Sequence, residues 1–177
     1  MKPAIMTFGR LNPFTVVHEH MINTMIKMAN EAKATPIIIV THTRNNKKNP
    51  LTVNEKIDIL HKVYPSVNIK KLSTSKEHPS IIKVINNLKN NGYNNFTLMV
   101  GENRKNAFGY VPAKKVWLKR PQGAVSATLA RTAALKGNVN LFTSFMSRKL
   151  SPGTIKNTMN KIRTRMTPSK KRTRSKE

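Results

Sequence analysis

Short apolar, β-branched runs alternate with helix-period segments along most of this chain, and that alternation constrains its fold more than any other feature. Residues 3–8, 36–40, 67–72, 95–100 and 115–118 read as strands. Between them, 16–33, 52–63, 79–90 and 126–136 carry apolar residues at helical spacing, as with Val17, Met21, Met25 and Met28 in the first. Thr52 followed three residues on by Glu55 is a capping-box pattern. Gly137 marks a helix stop, and two more helical stretches, 139–150 and 154–166, follow it. Strands alternating with helices imply an α/β fold, a Rossmann-like parallel sheet with helices on both faces. In such sheets ligands sit at the carboxyl ends of the strands, near the point where strand order reverses. The turns after Phe8 and after Val100 both lie at strand carboxyl ends.

Charge narrows the chemistry. The chain of 177 residues has 33 Lys or Arg against 7 Asp or Glu, a formal +26. A field of that size draws polyanions, such as nucleotides or nucleic acid. The seven carboxylates are scattered, which argues against a two-carboxylate hydrolase or a carboxylate-rich metal cage; no metal-ligating set is expected. Without cysteine there is no disulfide and no thiolate site. No apolar run reaches the roughly 20 residues that span a bilayer, so membrane insertion is not expected. The first residues run straight into a strand-like segment and lack a secretory layout. An intracellular setting (cytoplasm or nucleus) or a virion fits these features.

Two stretches carry the functional signal. The first, Thr7 to His18, joins a strand to a helix. Gly9 is expected to let the chain turn tightly and Pro13 to stiffen the loop. The helix start offers unpaired N–H groups and a positive dipole end, a natural phosphate site. Thr15 stands at the N-cap, and His18 lies one turn in, where it can donate to phosphate. Taken singly, these are an ordinary cap and an ordinary histidine; the whole string is more specific. The second stretch opens a helix with Ser126, Thr128 and Arg131. On its own it reads as a capped helix with a surface arginine.

Together the two stretches resemble the signatures of the nucleotidyltransferase superfamily, of the cytidylyltransferase-like kind. Gly9-Arg10-x-Asn12-Pro13-x-Thr15-x-x-His18 is similar to its T/H-x-G-H signature, with Val17 in place of the usual glycine, and Ser126-x-Thr128-x-x-Arg131 is similar to S-x-T-x-x-R. The resemblance covers roughly residues 3–137 and thins out between 54 and 95. It implies His18, Arg131 and Thr15 as catalytic residues. It also implies a nucleotide held by Phe8, Gly9, Arg10, Asn12, Gly101, Asn103, Arg104, Ser126 and Thr128. Lys47-Lys48-Asn49-Pro50-Leu51-Thr52, followed by Glu55-Lys56-Ile57, resembles a segment of nucleotidyltransferase-like proteins of bacteriophages and other large DNA viruses. There Lys47 and Lys48 are candidates for a substrate phosphate, with a solvated basic loop as the alternative.

The activity implied is transfer of AMP or CMP from ATP or CTP to a phosphate-bearing small-molecule acceptor, with pyrophosphate leaving. Mg2+ would travel mainly on the triphosphate. The substrate brings its own nucleophile, so a carboxylate-poor protein can work by positioning and electrostatics. The competing expectation is a catalytically degenerate member of the same fold that serves as a basic nucleic-acid-binding or virion protein. Val17 and the charge favour that alternative. Residues 1–150 are expected to form the transferase-like domain, and 151–177 a basic helix with a disordered tail. Residues 148–177 hold eleven Lys or Arg and one acid, a composition suited to non-specific nucleic acid. Trp117, the single tryptophan, is expected in the core; His20 is expected in solvent, and His42 is a weak candidate for the site.

Overall fold

The computed structural model describes residues 2–104, 106–119 and 126–168. Five strands form one parallel sheet, β1 (Lys2–Gly9), β2 (Thr35–Val40), β3 (Lys70–Ser73), β4 (Tyr93–Gly101) and β5 (Lys114–Leu118), in the order β3-β2-β1-β4-β5. The helices are α1 (Val16–Glu31), α2 (Val53–Val63), α3 (Ile81–Asn90), α4 (Ala127–Leu135), α5 (Val139–Phe145) and α6 (Pro152–Met166).

Strand alternation divides the core in two. Ile5, Ile38, Val40 and Met99 face one layer, where they pack with α1, α2, α4, α5 and α6. Ala4, Met6, Ile37, Ile39 and Leu98 face the other, covered chiefly by Ile81, Val84, Ile85 and Leu88 of α3. Both faces are therefore dry, which is why β2 reads as an unbroken apolar run. The chain turns outward from β1 in both directions, so the order reverses between β1 and β4.

Local signals set most boundaries. Thr52 caps α2: its hydroxyl accepts from Glu55 N–H at 3.2 Å, and Glu55 accepts from Thr52 N–H at 2.9 Å. Gly137, at φ 69°, ends α4. Three expectations shift. The third strand begins at Lys70, not 67, because it pairs only with residues 37–40 of β2, and Val67 is left in solvent. Helix α5 ends at Phe145, five residues short of the expected 150. Helix α6 starts two residues before the expected 154, with Ser151 as cap and Pro152 in its first turn.

Ile155, Met159 and Ile162 of α6 are buried in the same cluster as residues of α4 and α5. The tail expected to be disordered lies largely outside the described residues. No helix among them is long and apolar enough to cross a membrane.

Candidate nucleotide-binding site

A cleft of about 430 Å³ opens at the carboxyl ends of β1 and β4, where strand order reverses. Phe8, Gly9, Arg10, Asn12 and His18 line it from the first signature, Gly101, Asn103 and Arg104 from the turn after β4, and Ser126, Thr128 and Arg131 from the second. Residues more than a hundred positions apart thus share one wall.

The turn after β1 is held from three sides. Asn12, 1 % exposed, uses its side-chain amide to pair both backbone groups of Leu51, donating at 3.1 Å and accepting at 2.9 Å. Arg131 donates to the Asn12 carbonyl at 2.8 Å and to the Thr128 hydroxyl at 3.2 Å, tying α4 to the turn. Beneath both lies Lys56, whose ammonium donates to the carbonyls of Arg10 at 2.8 Å and Thr41 at 2.6 Å. The tight backbone geometry falls on Leu11, at φ 48°, and not on Gly9 as expected from sequence. Gly101 has a different use: a Cβ there would lie 2.8 Å from the Asn103 amide oxygen, so the missing side chain makes room for that amide.

His18 is oriented by its own helix cap. Thr15 N–H donates to His18 Nδ1 at 2.9 Å, so in the neutral ring the proton lies on Nε2. The ring also stacks on buried Phe14, centroids 6.0 Å apart. Thr15 itself is fully buried and is not among the residues that line the cleft.

Lys47 and Lys48 are exposed on a loop that does not line the cleft; Asn45 accepts from both backbone N–H groups. His42 is paired with Thr74 at 2.9 Å, also away from the cleft, whereas exposed His20 reaches its rim. Trp117, expected in the core, is 42 % exposed on β5, an edge strand of the sheet.

The electrostatics are one-sided. Among the described residues no carboxylate lines the cleft, while Arg10, Arg104, Lys119 and Arg131 do. Burial first, and then the charge of neighbouring Arg10, push the Arg131 pKa below its ordinary value. Two guanidiniums that destabilise each other suit a ligand with several negative charges. The hydroxyls, amides and cations present suit phosphate oxygens. They are poor direct ligands for magnesium, which prefers carboxylates and water.

Lys56 is the residue that sequence reading missed. It occupies the buried stripe of α2 with Ile59, Leu60 and Val63, and burial holds its pKa down to about 8. A lysine at i with apolar residues at i+3, i+4 and i+7 was the available signal. Glu55 beside it is clamped by α6: Arg165 donates to it and to the Pro50 carbonyl, and Lys161 pairs with it at 2.9 Å. Burial raises the Glu55 pKa, but hydrogen bonds from Arg165, the Thr52 N–H and Lys161 outweigh it and hold the carboxyl well below the usual carboxylate range. Helix α6 therefore braces the segment that carries Lys56.

No known protein-family profile matches the chain, and no curated protein matches it in sequence. Solved structures do match in fold. A bifunctional NMN adenylyltransferase/ADP ribose pyrophosphatase from Francisella tularensis superposes with a TM-score of 0.68 at 15 % identity, over 94 % of this chain and 53 % of that one. The chain thus spans about half the length of that protein. Plasmodium falciparum nicotinic acid mononucleotide adenylyltransferase, complexed with APC, gives 0.57 at 14 % identity, over 90 % of this chain and 94 % of that one. Thermotoga maritima TmcAL, bound with alpha-thio ATP, gives 0.63 at 10 % identity, over 90 % and 56 %. The chain shares the Rossmann-like α/β fold of these three proteins.

Proposed function

We propose that this chain is a nucleotidyltransferase that moves AMP or CMP from a nucleoside triphosphate to a phosphate-bearing small-molecule acceptor and releases pyrophosphate. One observation carries the reading: His18, Arg10 and Arg131 line one cleft at the reversal of strand order, which has no carboxylate among the described residues, and Arg131 is tied to the turn between Arg10 and the start of α1. An acceptor phosphate oxygen attacks the α-phosphorus, the bond to the β-phosphate oxygen breaks, and pyrophosphate leaves. His18 donates from Nε2 to the transferring phosphate, and Arg131, with Ser126 and Thr128 at the start of α4, holds the leaving phosphates. Arg10 neutralises charge beside them. Thr15 and Lys56 act through His18 and the turn backbone. Magnesium, if carried by the triphosphate, would supply charge neutralisation on the phosphates.

Purified protein with magnesium, each labelled triphosphate and a panel of phosphomonoesters should release pyrophosphate with at least one pair. Release with none, under conditions where the triphosphate binds, favours the second reading, a catalytically degenerate basic protein of a virion or nucleic-acid complex. That reading has its own support: Val17 lines the cleft where the superfamily signature has glycine. The C-terminal tail, with its cluster at Lys170, Lys171, Arg172 and Arg174, would add non-specific binding to nucleic acid under either reading.

A further inference from the structure

The positive charge is not spread evenly along the chain. Residues 78–176 contain 21 Lys or Arg and a single acid, Glu102. The preceding 77 residues contain 12 basic residues and five acids. The basic portion builds α3, β4, β5 and the three last helices, so the asymmetry belongs to the folded body as well as to the tail.

Within that portion β5 presents an unusual edge. Val116 and Leu118 pack on the core, and Trp117 between them takes the opposite face, 42 % exposed. Tyr110, in the segment leading to β5, is 57 % exposed. Edge strands are commonly guarded by charge, and Lys114 and Lys115 supply it here. Guarding an edge gives no reason to leave a tryptophan in water. Lys115 donates to the Val111 carbonyl and so fixes the segment beside the strand.

Position connects this edge to the cleft. Trp117 lies in register with Val100, and Leu118 with Gly101. Lys119, two residues beyond Trp117, is exposed and lines the cleft, as does Arg104 three residues past Gly101. An aromatic face is thus followed by cations that lead toward the cleft rim. Stacking surfaces combined with cations along a backbone path are the physical requirements for binding single strands, whose bases expose their faces; a duplex hides them.

We propose that the exposed edge at β5 binds single-stranded nucleic acid without base preference, with Trp117 as the stacking platform and Lys119 and Arg104 as phosphate contacts. The proposal is independent of transferase activity. Trp117 is the only tryptophan, so intrinsic fluorescence reports on this surface directly.

The test titrates the full chain with a short oligothymidylate while following tryptophan emission, and follows binding separately by anisotropy of a labelled oligonucleotide. Emission should be quenched, and affinity should fall steeply with salt. Trp117→Ala should weaken binding about tenfold, the scale of one lost base stack, and Trp117→Phe should recover most of it. ATP affinity should be unchanged in both variants, since Trp117 does not line the cleft. Absence of quenching, equal quenching by duplex DNA, or wild-type affinity in Trp117→Ala would each overturn the proposal. Failure of the unsubstituted chain to bind ATP, with its tryptophan emission still quenched by the oligothymidylate, would count against the transferase reading alone.

Discussion

Lys56 gives a direct test of how the turn after β1 is held. It is 1 % exposed, and burial lowers its pKa from 10.5 to about 8. In the unfolded chain it keeps its proton to the ordinary value. Between those two limits the unfolded state binds more protons than the folded state, so this residue's contribution to stability rises with pH. Below the folded pKa the buried charge carries its whole cost, about 3 kcal/mol at about 1.4 kcal/mol per pKa unit. About 2 kcal/mol of that should be relieved between roughly pH 7 and pH 9.5. Lys56→Met keeps a similar stem and removes the titration. It also strands the Arg10 and Thr41 carbonyls, a pH-independent loss of about 1–3 kcal/mol each. Urea unfolding of both proteins at several pH values should therefore show the wild type gaining on the variant by about 2 kcal/mol across that range. Groups common to both proteins, including Tyr64, whose pKa burial and Glu19 raise, cancel in the difference. A gap that stays constant with pH would show that no charged ammonium is buried there, and the account of the turn would fail.

His18→Ala should slow nucleotidyl transfer by about 2–4 kcal/mol of transition-state stabilisation while changing triphosphate affinity less, as read from kcat and calorimetry; an unchanged kcat removes His18 from the chemistry. Arg131→Lys keeps the charge but cannot grip Asn12, Thr128 and phosphate at once, so the rate should drop with the thermal midpoint nearly kept. Glu55 has a depressed pKa, so its stabilisation is present above the ordinary value near 4.5 and is lost as pH falls below it; Glu55→Gln should flatten the acid limb of the stability curve. Removing residues 169–177 takes away five Lys or Arg and one Glu. The salt dependence of DNA binding should become shallower and triphosphate binding should persist; an unchanged slope places the polyanion surface on the body alone.

Some of this was legible from the residues in order, because the interactions involved are local. Helical and strand periodicity, the Thr52–Glu55 capping box and the Gly137 stop act within about four residues, and each appears in the structure. The two signature turns also follow from sequence, since both are a strand end or loop meeting a helix start. Their approach to each other does not: it depends on where the sheet reverses direction, and on Arg131 reaching Asn12 across the fold. Lys56 looks in sequence like a solvated helix residue beside Glu55. Its place in the apolar stripe of α2 hints at burial, but its partners lie 46 and 15 positions away, so which carbonyls it holds came only from packing. Thr15 is placed correctly at the cap, yet its burial behind His18 comes from Phe14 and the core beneath. Trp117 shows the converse. Its size favours burial, but strand order made β5 an edge and left the indole in water. The sequence determined the elements and the chemistry at their ends; tertiary structure decided which ends meet and which side chains lose contact with solvent, because burial is a property of distant parts of the chain coming together.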